Sequence, residues 1–382
     1  MALVDRYVPA FLIKVGRMEL RYGIPYTQKG ATVDVLSVTV TDTVNQADSF
    51  SFTVRDRHPE RGHFAGGPEL KWIDSGIFDE GTDVKIEMGY QSKPSEKDTF
   101  DFEGEITAVS ASFPESGVPT LVARGFSFFH HLQRRSPRKP FEARTDSGIA
   151  QEIADAMGWG YVVDETVAKR PILTPKNQTY AAILTSRAQR IGYEVAVKKK
   201  TLIFEEPRYR QRTDPELTLE WGKDLRSFSP NLSTYNMVPG VAIRGSQTAR
   251  GMGKTPLVGT ATAKDIRGKM GDTTGLEIAL KIKEWWDPDL KPTLDEDHDV
   301  VDQPEAKEVA LAKLEGKALE FISGRGSIIG NPQLKARMLI ELKGLGRRFS
   351  GNYYVTSVTH TIDAGGYRTD FEVKRNARNE TR

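Results

Sequence analysis

Leu36-Ser37-Val38-Thr39-Val40-Thr41 and, after Asp42–Asp48, Ser49-Phe50-Ser51-Phe52-Thr53-Val54 are the stretches on which the fold turns. Leu36, Val38 and Val40 fall on one side and Ser37, Thr39 and Thr41 on the other, and Phe50, Phe52 and Val54 repeat the pattern against Ser49, Ser51 and Thr53. A repeat of two is the period of an extended chain with one dry and one wet face, so the pair predicts an antiparallel hairpin. Further on, Phe100, Phe102, Ile106 and Ala108 oppose Asp101, Glu103, Glu105 and Thr107, and Leu121 to Gly125 supplies a closing strand. Half-buried antiparallel strands separated by Gly/Pro-rich turns indicate a sandwich or barrel.

The pattern changes at the basic, proline-punctuated segment Arg134 to Pro140. Beyond Phe141, Thr145 or Asp146 caps a helix carrying Ile149, Ile153 and Met157 on one face, and Gly158 supplies its stop. Thr179 to Ile191 repeats the arrangement with Ile183, Leu184 and Ile191 inward and Gly192 as the stop, and Tyr193–Val197 with Thr201–Phe204 forms a hairpin around three lysines. This is an α+β insert. Strand pattern returns at Leu217, Leu219 and Trp221, continues through Val241 and Ile243, and is expected again at Ile278, Leu280 and Ile282 against Glu277, Lys281 and Lys283. Gly251–Gly275 and the acidic Asp287–Asp302 read as long loops. Pro304 opens a helix near 304–323 through Val309, Ala312, Leu319 and Ile322, ended by Gly324 and Gly326; strands follow around Met338–Leu342, Tyr353–Thr361 and Thr369–Lys374. The expected division is a first β domain at 1–133, an α+β insert domain at 134–212 and a second β domain at 213–382. No sequence repeat connects the two β regions.

The 382 residues carry 54 Lys plus Arg against 52 Asp plus Glu, so a net charge of +2 supplies no global attraction to nucleic acid or an acidic membrane. Cysteine is absent, which removes disulfides, thiolate nucleophiles and cysteine metal sites together. Met1–Gly16 lacks the apolar core of a signal peptide and no run approaches a membrane span, so the chain is expected to be made in, and at first to stay in, a cytoplasm.

Candidate chemical motifs fall short one by one. Gly251-Met252-Gly253-Lys254-Thr255 invites a phosphate-loop reading, but Thr248 stands where that motif needs glycine and Pro256 interrupts the helix that should follow. Gly324, Gly326 and Gly330 miss the dinucleotide spacing and read as a helix C-terminus. The histidines His58, His63, His130, His131, His298 and His360 form no two-turn helical pair for a metal. Asp101, Glu103 and Glu105 describe any solvent-facing strand, and Asp295, Glu296, Asp297, Asp299 and Asp302 lack the spacing of a calcium loop. Gly245-Ser246 lacks the glycines of a nucleophile elbow; Arg134, Arg135, Arg138 and Lys139 lack interleaved aromatics; Trp285-Trp286, ending an expected strand, seals a core or an interface. The expectation is no enzyme, no cofactor and no metal.

The C-terminal run Phe349-Ser350-Gly351-Asn352-Tyr353-Tyr354-Val355-Thr356-Ser357-Val358-Thr359-His360, followed by Gly366-Tyr367-Arg368-Thr369, resembles the closing segment of the phage late control D and VgrG-type hub family. The insert agrees, with Gln178-Thr179-Tyr180 before a helix, Ala188-Gln189-Arg190-Ile191-Gly192-Tyr193, and Leu202-Ile203-Phe204. The resemblance implies a mainly β chain with an α+β insert and two tube-like antiparallel β-barrels. It also implies a structural signature at Phe349, Ser350, Gly351, Tyr353, Tyr354, Val355, His360 and Tyr367. The implied function is a baseplate hub of a contractile tail or injection system: a homotrimer joining a sixfold inner tube to a threefold spike and lining the channel. Its implied partners are the inner tube protein, a spike that is a separate polypeptide because the chain ends at Arg382, and other baseplate proteins, in a virion tail or injection particle. A tail-associated cell-wall hydrolase or a carbohydrate-binding β protein using Trp285 and Trp286 are the alternative readings.

Overall fold

The computed structural model describes residues 8–22, 34–56, 70–90, 99–245, 257–286, 291–297 and 299–380. The motif at Gly251–Thr255 and the residues His58, His63 and His298 lie outside them.

The first region supplies seven strands: β1 (Pro9–Val15), β2 (Met18–Tyr22), β3 (Val35–Thr43), β4 (Ser49–Arg55), β5 (Asp83–Tyr90), β6 (Phe100–Ser112) and β7 (Thr120–Ser127). They lie in the order β2-β1-β5-β6-β7-β4-β3, every neighbour antiparallel. The alternation read from the sequence is the alternation of burial: Val38, Val40, Phe50, Phe52 and Val54 enter a core with Ile13, Leu20, Ile86 and Ile106.

The middle region follows as α1 (Phe129–Arg134), β8 (Phe141–Arg144), α2 (Asp146–Met157), β9 (Gly160–Val163), β10 (Arg170–Leu173), α3 (Tyr180–Ile191), β11 (Glu194–Lys198), β12 (Thr201–Glu205) and α4 (Arg208–Gln211). Thr145 and Thr179 accept the amides of Gly148 and Ala182 as N-caps, and Gly158 and Gly192, both at φ 69°, close the two helices. The helices pack on the β11-β12-β9 sheet around Ile149, Ile153, Ile183, Leu184, Val195 and Phe204.

The last region comprises β13 (Leu217–Glu220), β14 (Leu225–Leu232), β15 (Gly240–Gly245), β16 (Val258–Thr262), β17 (Thr273–Thr274), α5 (Gly275–Trp286), β18 (Thr293–Asp297), α6 (Gln303–Ala318), β19 (Ile322–Ile329), β20 (Leu339–Lys343), α7 (Gly346–Phe349), β21 (Gly351–Asp363), β22 (Gly366–Arg375) and β23 (Ala377–Arg378). Strands run β14-β19-β22-β21, with β20 on β21 and β13 on β20. A small β16-β15-β18 sheet packs under α6, where Gly259 approaches so closely that a Cβ would lie 2.0 Å from the Ala306 backbone. The fold is mainly β with one large antiparallel sheet.

Several sequence expectations are corrected. Ile278, Leu280 and Ile282 lie in helix α5, and Trp285 and Trp286 end that helix instead of a strand. The overlooked start signal is a capping box: the Glu277 amide donates to Thr274 Oγ1 at 3.1 Å while the Thr274 amide donates to the Glu277 carboxylate at 2.6 Å. Helix α6 stops at Ala318, and Gly324 and Gly326 sit inside β19. There a Cβ would come within 2.5 Å of the Phe228 ring and 2.4 Å of the Phe371 ring, so these glycines make room for aromatics of neighbouring strands. Part of the acidic loop is strand β18. Beyond these corrections, β21 pairs with β3, so the two β regions share one thirteen-stranded sheet.

Candidate functional site

The two β regions meet at a seam where β21 pairs with β3. In the first region β3-β4-β7-β6-β5 are neighbours, in the last β14-β19-β22-β21-β20, with the same chain order and every pairing antiparallel. The register shifts also correspond. A bulge separates Val35 from Ser37 in β3 and Leu225 from Ser227 in β14, and another separates Ile106 from Ala108 in β6 and Val355 from Ser357 in β21. Anchored on the bulges, Ile106-Thr107-Ala108-Val109-Ser110 stands against Val355-Thr356-Ser357-Val358-Thr359. The sixth position differs in direction: β1 is antiparallel to β5, whereas β13 is parallel to β20.

At the seam, Ser357–Ile362 of β21 pair with Val38–Thr43 of β3. Hydroxyls meet across it: Thr41 and Thr359 at 3.1 Å, Thr43 and Ser357 at 3.3 Å, Thr39 and Thr361 at 3.4 Å. One polar row, Ser49-Thr41-Thr359-Asp370-Ser327-Ser227, crosses six strands. The opposite face is dry. There His360 is fully buried: its Nε2 faces the Leu334 carbonyl at 3.0 Å, and its Nδ1 lies 2.9 Å from the Tyr367 hydroxyl and 3.1 Å from Thr369 Oγ1. Burial lowers its pKa to about 4, so the ring is neutral at pH 7.

The equivalents of these seam strands are open. Residues 108–112 continue β6 beyond β5, and among the described residues no strand pairs with that side; β14 pairs along its length with β19 and otherwise makes a single bridge, Leu225 to Trp221. Ala108, Ser110, Ala111 and Ser112 are exposed, and Phe113 is 63% exposed.

The insert is pinned to both halves beside the seam. Lys198 bridges Asp42 of β3 at 2.8 Å and Asp48, in the turn before β4, at 2.9 Å. Burial raises Asp48 to about 7, assisted by the Asp42 charge; burial also opposes ionisation of Asp42, but the Lys198 ammonium and the Ala336 amide outweigh it and hold Asp42 below its ordinary value. On the other side, Arg337 reaches Glu194 at 3.1 Å and Glu205 at 2.6 Å, and the Tyr354 hydroxyl donates to Glu194 at 2.6 Å. Arg170 and Arg190 both engage Glu305 of α6, and Arg190 meets Asp297 at 2.8 Å. The acidic run thus binds arginines of the same chain.

The signature residues stitch this region together. Ser350 accepts from Arg375 Nη1 at 2.9 Å, Gly351 at φ 131° lets that guanidinium approach, and the Tyr353 hydroxyl donates to the Phe349 carbonyl at 2.8 Å. Val355 lies in the core at the bulge, Tyr354 faces the insert, and Tyr367 meets His360. Asp101 meets Lys199 at 2.8 Å, and Glu103 lines the same cleft as these two residues.

A family model described as the Alg8 N-terminal domain matches residues 24–364. The chain belongs to that sequence family. No curated protein sequence matches it. In fold, this Alg8_N member is similar to the 43 kDa tail protein of prophage MuSo2 from Shewanella oneidensis: 12% identity, TM-score 0.66, covering 96% of this chain and 98% of that one. It is also similar to a tail protein from Neisseria meningitidis MC58, at 14% identity and TM-score 0.65 over 97% of each chain. A third likeness, at 10% identity and TM-score 0.53 over 96% of this chain and 78% of that one, is to the Escherichia coli c3393 protein, a component of the type VI secretion system structurally similar to T4 tail proteins gp27 and gp5. The chain therefore has a tail-protein fold. Among the described residues no helix is long and apolar enough to cross a membrane.

The structure also groups side chains that sequence spacing separates. Glu194, Arg337 and Arg375, which no motif marks, hold the signature in place. Glu105 of β6 meets both His130 and His131 of α1, which form no two-turn helical pair in the sequence. Only a nonlocal contact brings them together.

Proposed function

We propose that this chain is the structural hub of a contractile tail or injection system, a homotrimer whose six duplicated β units form a ring between a sixfold inner tube and a threefold spike. The observation that carries the reading is the duplicated strand order with its two matching bulges, because two equivalent tube-facing units per chain let three chains present six. The reading places a barrel in each β region, near 8–130 and 213–375, with the hydroxyl-rich face lining the channel and the insert at 141–210 outside the ring. The tail-protein fold supports it.

The joint inside the chain supplies a template for the joint between chains. Transferring the β3–β21 register by the bulge equivalences sets Ser110 of one copy opposite Asn231 of the next, Ser112 opposite Ser229, and Phe113 opposite Phe228. Two of the three hydroxyl pairs of the seam then have polar counterparts, and an exposed phenylalanine gains an aromatic neighbour. Pro230 on that edge lacks an amide, which discourages indiscriminate strand addition. Each copy offers one edge of each kind, so association is head to tail and closes when the rotation per copy is a third of a turn.

Light scattering on the purified chain should give about three times its 42.6 kDa mass, alone or with the spike. A stable monomer at micromolar concentration that also fails to trimerise with the spike contradicts the reading. Partners that fit it are the inner tube protein, a separate spike and other baseplate proteins, and the mature location is a virion tail or injection particle.

A further inference from the structure

We infer that Glu105, His130 and His131 form a site for one divalent transition-metal ion, with zinc the best match, clamping the first β region to the helix that leads into the insert. His130 is only 4% exposed and its Nδ1 lies 2.9 Å from the Ser127 carbonyl. A carbonyl only accepts, so Nδ1 carries the proton and Nε2 turns its lone pair outward. The atom it meets at 3.4 Å is Glu105 Oε2, which also only accepts when ionised. Two acceptors facing each other in a buried place want a cation between them.

His131 completes the set, its Nε2 lying 2.9 Å from the same Glu105 oxygen, and the three donor atoms lie within 4.8 Å of one another. Zinc–nitrogen and zinc–oxygen bonds of about 2.0–2.2 Å place tetrahedral ligands roughly 3.3–3.6 Å apart, so small side-chain shifts suffice. Two imidazoles and one carboxylate without sulfur suit zinc or its first-row neighbours better than calcium or magnesium. The Ser127 carbonyl acts as the outer hydrogen-bond partner that fixes the tautomer of a ligating histidine. His131 is half-buried, leaving a fourth position for water. The site ties β6, from the sheet, to α1, whose Phe129 and Leu132 pack in the insert's core.

The test is calorimetric titration of the tag-free, chelator-treated full chain with zinc chloride. The expected result is saturable uptake of one zinc per chain with a rise in melting temperature. His131→Ala and Glu105→Gln should each weaken uptake by more than the roughly 10–100-fold that loss of an outer partner costs. Both positions are half-buried, and zinc-free melting of each variant establishes that it folds; either folded variant suffices. Absence of one-per-chain uptake by the parent overturns the inference. So does unchanged affinity in a folded variant.

Discussion

The seam and the two open edges are chemically alike and structurally unlike. At the seam β3 and β21 spend their backbone groups on each other; β6 beyond Ile106 and the outer side of β14 offer the same kind of edge to no described partner. Long open edges invite pairing, and here the open pair carries small polar side chains where the closed pair carries its hydroxyl ladder. Assembly of the proposed ring repeats an interaction already folded once within each chain.

The comparison breaks most severely where the last region and the insert hold β21. Arg337→Ala leaves Glu194 buried without its cation, and chemical denaturation should show a loss of about 3–5 kcal/mol. Wild-type stability in the variant would remove the pin from the account. Next is the pH response of the seam itself. His360 falls from an unfolded pKa of 6.5 to about 4, so the unfolded chain takes up the proton first and stability falls as the pH drops from 6.5 through 4, by about 3 kcal/mol. His360→Gln should flatten that slope, while Ala111, the equivalent position on the open edge, supplies no such response.

Asp48 works in the opposite sense. With its pKa raised to about 7, its protonated form is favoured in the fold, and this group's contribution is lost as the pH rises through 7, by about 1 kcal/mol between pH 6 and 8. Asp48→Asn should abolish that decline; a decline of equal size in the variant assigns it elsewhere. The smallest effect separates the two joints. Thr41→Ala removes a hydroxyl pair within the chain and should lower its stability by about 0.2–1 kcal/mol. Asn231→Ala should spare melting of the single chain and weaken association severalfold.

Much of the sheet was legible because its strands are half-buried: Val38, Val40, Phe50 and Phe52 advertise period two on their own. The helix at 275–286 was not, since Ile278, Leu280 and Ile282 satisfy a short strand pattern as well, although Thr274 and Glu277 supplied a capping signal. The glycines of β19 read as stops because the aromatics that require them, Phe228 and Phe371, lie far away in sequence. The duplication stayed hidden for a related reason. A strand keeps its place by alternation and bulge position, so Ile106–Ser110 and Val355–Thr359 become comparable only once the register is known. Seam partners such as Thr41 and Thr359 leave no local trace.

The ring is tested most directly by a crosslink. The chain has no cysteine, so Ser110→Cys with Asn231→Cys introduces the only thiols. Directly opposed strand residues have Cα atoms about 4.5–5.5 Å apart, within disulfide reach. Oxidation of the double variant should give a covalent trimer in denaturing, non-reducing electrophoresis, reversed by reductant, while neither single variant forms one. A protein that light scattering finds trimeric but that yields no such band has a different interface, and the edge-to-edge ring proposed here would be wrong.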